Sequence, residues 1–303
     1  MTHTEFRTTS ARGLDRESPP MRLYQKAKRL GIWDPAELDL TRDAADWDAL
    51  SDLERKSMLQ ITALFQAGEE GVTLDLLPLI MVIAAEGRLE EELFLTTFLW
   101  EEGKHVEFFR RVLDEVCRVD EDLHRFHTPS YRTLFYEELP AALGRLRDEP
   151  SPEAQVRASV TYNMIVEGVL AETGYHSYFL SLERRGLFPG LRAGLAHVKR
   201  DEARHIAYGV YLLSRLVAAD EALWPVAQSR MEELLPLALA FIDETFADYP
   251  DRVTPFGVPL EEIVEFATSQ FQKRLARIER GARAGSLELV DALAHEDIAA
   301  TVA

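Results

Sequence analysis

Apolar residues along this chain recur at intervals of three and four, and the alternation that marks a half-buried strand is almost absent. Such spacing predicts helices that turn one face to a core. Start signals punctuate the pattern: Ser51 with Glu54 makes a capping box, and "SPEA" from Ser151 offers a cap residue, a proline at the first helical position and an early acid. Stop signals answer them, with Gly87 after "MVIAAE", Gly186 after "SLERR" and Pro250 after "FADY". Together they predict long helices over roughly 51–86, 88–118, 152–184 and 190–218, with further helices near 130–146, 221–248 and 258–284. The expected fold is an all-α bundle in a single domain spanning 1–303, with residues 1–20 and 286–303 loosely held.

Several of the apolar stripes carry ionisable residues. Leu95, Phe98, Glu102, His105, Phe109 and Val112 advance by three or four, so Glu102 and His105 project from a stripe that faces the core. Val198, Glu202, His205 and Leu212 do the same. Each stripe holds Glu-x-x-His, and on a helix a three-residue offset puts both side chains on one face, close enough to hold one metal ion. In "FQAGEEGVTL", Phe65, Glu69, Val72 and Leu76 form a stripe that turns Glu69 inward and leaves Glu70 toward the flank. Val156, Val160, Asn163, Glu167 and Leu170 place Glu167 inside likewise.

Burial of a charged side chain costs several kcal/mol, on the order of what an unpaired ion loses on leaving water, unless it is paired or coordinated. Four inward glutamates and two inward histidines, arranged as Glu, Glu-x-x-His, Glu, Glu-x-x-His, make the ligand set of ferritin-like dinuclear carboxylate bundles. The order repeats with close offsets, 33 residues from Glu69 to Glu102 and 35 from Glu167 to Glu202, which suggests helix pairs related by a pseudo-two-fold axis. The expected architecture is thus a ferritin-like four-helix bundle core with additional helices and a dinuclear metal site. Oxygen-rich ligands with one imidazole per metal suit iron and manganese better than zinc, and reduced ions about 3.5–4 Å apart activate dioxygen. Asp201, beside Glu202, is a candidate acceptor for the free ring N–H of His105, although a surface aspartate fits the spacing equally well. Glu121 and His124 share the motif in a polar stretch without a stripe, and read as a decoy.

Composition narrows the partners. With 34 basic against 52 acidic side chains the net charge is −18, which repels nucleic acid and anionic lipid surfaces. One cysteine, Cys117, excludes an internal disulfide framework and fits a reducing interior. The N-terminus carries no secretory h-region. The longest uncharged apolar run, Leu76 to Ala85, is half of the roughly 20 residues a membrane span needs. A cytoplasmic protein is expected.

The motifs resemble those of the radical-generating small subunit of ribonucleotide reductase, and more closely those of its relatives, the ligand-binding oxidases that hold a mixed manganese/iron centre. The similarity runs through "MRLYQKAKRLGIWDP", "AGEEGVTLDLLP", "EEGKHVEFF", "TYNMIVEG", "DEARHIAYG" and "LWPV". It implies metal ligands at Glu69, Glu102, His105, Glu167, Glu202 and His205, and it selects Glu69 over Glu70. It also implies an ether cross-link between Val72, one turn past the first ligand, and Tyr162, five residues before the third. The implied activity is two-electron oxidation of a C–H bond with dioxygen as oxidant, one Mn and one Fe ion or alternatively two Fe as cofactor, a long-chain fatty-acid-like carboxylate as ligand, and a homodimer as assembly. The alternative is the reductase subunit itself. Against it, Phe109 stands where the usual radical tyrosine would be, and no Tyr or Trp follows Tyr249 to pass a radical to a partner.

Overall fold

The computed structural model describes residues 6–284 and 286–300, and among them no β-strand is present. Residues 1–5, 285 and 301–303 lie outside the described residues, and of these 1–5 and 301–303 belong to the terminal stretches expected to be loosely held. Helix α1 is Pro19–Leu30, α2 Thr41–Ala49, α3 Asp52–Asp75, α4 Leu77–Ala85 and α5 Leu89–Arg111. Helix α6 joins Pro129–Arg132, a π-helical Thr133–Glu138 and Leu139–Gly144. Helix α7 runs through Pro152–Ser159, a π-helical Val160–Ala171 and Glu172–Glu183. Then follow α8 Pro189–Ala219, α9 Leu223–Thr245, α10 Leu260–Ala284 and α11 Leu287–Ala300.

Local chemistry sets the helix ends. At α3 the Ser51 hydroxyl accepts the Glu54 N–H while the Glu54 carboxylate accepts the Ser51 N–H, so two otherwise orphaned donors are satisfied reciprocally. The expected single helix over 51–86 is two helices. Pro78 has no N–H to continue the ladder, and the Leu79 and Ile80 amides bond back to the Leu76 carbonyl instead. Gly87 and Gly186 take positive φ, +70° and +63°, where a side chain would be strained.

Helices α3, α5, α7 and α8 form the bundle, with α3 against α5, α5 against α8 and α8 against the π-helical stretch of α7. Helix α10 covers α7 and α8, and α1 lies across α5. At one crossing Gly209 on α8 lets the backbone approach α7 so closely that a Cβ there would collide with Asn163. The apolar interior falls into two clusters. One holds Leu76, Phe94, Phe98, Tyr162, Val166 and Tyr208, and the other holds Phe108, Phe109, Tyr175, Phe188, Leu191 and Val198. No helix among the described residues is long and apolar enough to cross a membrane.

Candidate metal centre

The four bundle helices bring six side chains to one place. Glu69 comes from α3, Glu102 and His105 from α5, Glu167 from α7, and Glu202 and His205 from α8. None is more than 5% exposed, whereas Glu70, one residue on from Glu69, faces solvent. Their ligand atoms form two overlapping groups, Glu69–Glu102–His105–Glu202 and Glu102–Glu167–Glu202–His205, each within 4.8 Å. Glu102 and Glu202 belong to both, so two carboxylates lie between a pair of adjacent positions. Glu121 and His124 are exposed, and His124 bonds to Asp122.

Both imidazoles are oriented from behind. His105 turns Nδ1 into the cluster, 3.4 Å from Glu69 Oε2 and from Glu202 Oε1 and 3.5 Å from Glu102 Oε2, and its Nε2 lies 3.3 Å from Asp201 Oδ2. His205 places Nδ1 3.1 Å from Glu102 Oε1, and its Nε2 is 2.9 Å from Glu101 Oε2. A fixed N–H on the far nitrogen leaves the near one with a lone pair aimed at the site. Arg204, fully buried, bonds to both Glu101 and Asp201 and ties the two acceptors together.

The donor set fits a pair of cations. Glu102 Oε2, His105 Nδ1, Glu167 Oε1, Glu202 Oε2 and His205 Nδ1 are buried and have no hydrogen-bond partner, although such atoms are costly to leave unmatched. All belong to the two groups just described. Carboxylates with one imidazole apiece suit divalent ions of the iron and manganese kind.

Protons and cations compete for these groups. Burial pushes the Glu69 carboxyl up to about 8, reinforced by Glu102 and Glu202, and burial raises Glu167 well above the usual range. Burial works the same way on Glu102, but the His105 and His205 rings that face it outweigh burial and hold that carboxyl low. For His105 and His205 burial favours the neutral ring, and the surrounding carboxylates reverse this and raise both well above the ordinary value. Metal binding would have to displace those protons.

Glu167 sits in the π-helical stretch, a local widening that recurs at functional sites. The stripe spacing predicts a regular helix there. The wider turn is met from outside by Arg274, whose guanidinium donates to the Gly168 carbonyl, and within the stretch Asn163, itself bonded by Ser159, donates to Glu167 Oε2 at 3.0 Å. Tyr162 donates to Glu102 Oε1 at 3.2 Å. Val72 and Glu69 line an apolar cavity of about 140 Å³, which Glu167 and Glu202 reach from the site and which extends to Tyr249, Thr254 and Phe256. Phe109 stacks on Phe65, 5.0 Å between ring centroids.

Four further residues meet the site beyond those that the stripes single out. Glu101 is one of two adjacent glutamates, with no spacing signal to mark it as the partner of His205. Arg204 and Trp33 meet Asp201, and Trp33 is 168 residues away in the chain. Tyr175, also buried, lies 3.4 Å from both Glu69 Oε1 and Glu202 Oε1. It follows Glu167 on the same helix in steps of four through Ala171, a signal present in the sequence.

Over residues 20–280 the chain matches the family described as ribonucleotide reductase, small chain. It is also similar to solved structures of R2-like ligand-binding oxidases. A Y162F variant with aerobically reconstituted Mn/Fe cofactor is 41% identical over 92% of this chain and 100% of that chain, with a TM-score of 0.86. G68F and V72I variants with anaerobically reconstituted Mn/Fe cofactor share the same 41%, 92% and 100%, with TM-scores of 0.85 and 0.87. The residue types and numbers of those substituted positions coincide with Gly68, Val72 and Tyr162 here.

Proposed function

The chain belongs to the small-chain family of ribonucleotide reductase and, within it, to the R2-like ligand-binding oxidases, and from that premise we propose that it is an oxidoreductase that uses a Mn/Fe centre, or alternatively two Fe, to drive two-electron C–H oxidation with dioxygen. The observation that carries this reading is the set of five buried, unpartnered ligand atoms on Glu102, His105, Glu167, Glu202 and His205. Glu69, Glu102 and His105 would hold one ion and Glu167, Glu202 and His205 the other, with Glu102 and Glu202 between them. When bound, the metals supply electrons to dioxygen and a strong oxidant for C–H bonds.

The protein's own groups do the rest. Asp201 and Glu101 keep each imidazole in the tautomer that points a lone pair inward. The apolar walls around the site exclude water and strengthen each polar contact within it. Tyr162 and Val72 are the residues that would be joined by an ether bond: the tyrosine loses its O–H hydrogen, the valine a C–H hydrogen, and dioxygen accepts both with their electrons. Glu102 Oε1, already holding the Tyr162 hydroxyl, is placed to relay the phenol proton on its way to dioxygen. The cavity that Val72 lines is assigned to a long-chain fatty-acid-like carboxylate, its head toward Glu69, Glu167 and Glu202 and its tail among Leu64, Phe135 and Leu170. The reading takes the chain as one cytoplasmic domain and two chains as the assembly, with exposed Leu74, Leu77 and Met81 supplying an apolar face for that contact.

The test is intact-mass measurement after loading with Mn(II) and Fe(II). A loss of two hydrogens on admission of air, absent under anaerobic loading and absent in Val72→Ala and Tyr162→Phe, is expected. An unchanged mass at full metal occupancy would overturn the cross-linking reading.

A further inference from the structure

A hydrogen-bonded chain leads out of the metal centre to the surface. The His105 ring that faces the ligand cluster through Nδ1 contacts Asp201 Oδ2 through Nε2, and the same oxygen accepts the Trp33 indole N–H at 2.8 Å. Trp33 is half-buried and stacks on His197, 5.1 Å between centroids, so an easily oxidised ring connects an oxidising centre with the protein's exterior. A centre meant to spend its oxidising power on a bound substrate would lose it along such a chain.

Lys104 occupies the weak point. Its side chain is only 6% exposed, and the ammonium donates to the Gly31 carbonyl at 2.6 Å and to Asp201 Oδ2 at 3.1 Å. It also stands 4.5 Å from the ring centroid of Trp33 and 4.5 Å from that of Trp100. A cation against an indole face is attracted to the electron-rich neutral ring and repelled by the radical cation that loss of an electron would leave. The Asp201 carboxylate acts in the opposite sense. Its charge is shared with Arg204 and Lys104, and Lys104 alone of the two cations also lies over the rings. A buried ammonium is expensive to desolvate, and two of the four contacts it makes, those with Asp201 and Trp33, fall on this chain.

We infer that Lys104 is a positioning residue of electrostatic kind, which makes Trp33 harder to oxidise and so confines oxidising equivalents to the metal centre and its substrate. The part played during turnover rests on the oxidase reading given above; the effect on Trp33 itself does not. In the leak that Lys104 suppresses, Trp33 gives one electron to the oxidised centre and its N–H proton to Asp201. The indolyl radical gives a second electron to the same oxidant, water adds to the ring with loss of a proton, and the hydroxyl oxygen gained marks the residue.

Two measurements on the full-length chain separate these levels. In the first, the metal-free protein is photo-oxidised by ruthenium(III) tris-bipyridine in air, and oxygen adducts on Trp33 are quantified by peptide mapping. Lys104→Met is expected to raise Trp33 oxidation at least about tenfold over wild type. Lys104→Arg, which keeps the cation, is expected to stay near wild type, and Lys104→Met/Trp33→Phe to lose the adduct from that peptide. Equal Trp33 oxidation in wild type and Lys104→Met, with thermal unfolding showing both folded, would overturn the inference. Were Lys104→Met to fail to fold, Lys104→Gln and Lys104→Arg provide the same comparison of neutral and charged side chains. In the second, Mn/Fe-loaded proteins react with dioxygen, and Trp33 adducts are expected in Lys104→Met and not in wild type. Dioxygen consumption without Trp33 adducts in any variant would overturn the confining role in turnover. A charge effect in the first measurement, together with no dioxygen consumption in the second, would uphold the effect on Trp33 and overturn the oxidase reading instead.

Discussion

His205 donates its Nε2–H to Glu101 Oε2 across 2.9 Å, and that bond decides which nitrogen faces the cluster. With Nε2 occupied, Nδ1 is the nitrogen that faces Glu102, Glu167 and Glu202, and loss of its proton leaves a lone pair directed at the site. Glu101 also neutralises Arg204, which is wholly buried. Replacement by alanine removes both services. Glu101→Ala is expected to lower metal affinity by about 10–100-fold and to destabilise the protein by roughly 3–5 kcal/mol, because a buried guanidinium loses one of its two carboxylates. Metal titration and denaturant unfolding check the two effects separately.

Proton competition makes metal binding depend on pH. Glu69 holds its proton up to about 8, chiefly because burial disfavours the carboxylate. As pH rises toward that value the proton leaves and the site becomes a better ligand, so affinity for Mn(II) is expected to increase from pH 6 to above pH 8. The stability of the metal-free protein should move the other way. A carboxyl whose folded pKa lies above its ordinary 4.5 binds its proton more tightly in the folded state, so its contribution is complete below 4.5 and is lost as pH rises to about 8. Thermal unfolding of the metal-free protein should therefore fall in midpoint over that window, and added metal should restore it. A midpoint rising steadily from pH 5 to 8 would contradict this.

Gly209 holds α8 against Asn163 of α7, and Asn163 orients Glu167 through a 3.0 Å hydrogen bond. Gly209→Ala forces a collision with the Asn163 side chain. Overpacking of this kind costs about 1–3 kcal/mol, and the displaced amide should release Glu167. Reduced metal content in a protein that still folds is the expected result, read by elemental analysis beside thermal unfolding.

The exposed motif at Glu121 and His124 supplies the contrast. Neither side chain is buried, and their partners are Arg125 and Asp122 on the surface. His124→Ala should change stability by no more than about 0.5 kcal/mol and leave metal content as in wild type. His205→Ala, with the same spacing from its glutamate but inside the core, should lose bound metal.

The difference between those two motifs also shows what a sequence makes visible. Burial is written in periodicity: Phe98, Glu102, His105 and Phe109 share a stripe with large apolar residues, and Glu121 and His124 do not. Helix ends at Ser51, Gly87 and Gly186 follow from side-chain and backbone chemistry within a few residues, so the all-α bundle was legible. Contacts that join distant segments leave no such trace. Trp33 meets Asp201 because α1 and the loop after it lie across α5 and α8, and Lys104 reads as an ordinary surface lysine until that packing is known. The π-helical stretch around Glu167 is likewise set by tertiary partners, among them Arg274 from α10. The interruption at Leu76, whose backbone angles stay helical, depends on Pro78 and on where its neighbours' amides bond.

The central claim is that six buried side chains hold two metal ions, and metal analysis combined with anomalous diffraction tests it most directly. After loading with Mn(II) and Fe(II) and removal of excess metal, the account predicts two ions per chain, with anomalous signal between Glu69, Glu102, His105, Glu167, Glu202 and His205. Folded protein that retains no metal at these residues would contradict it.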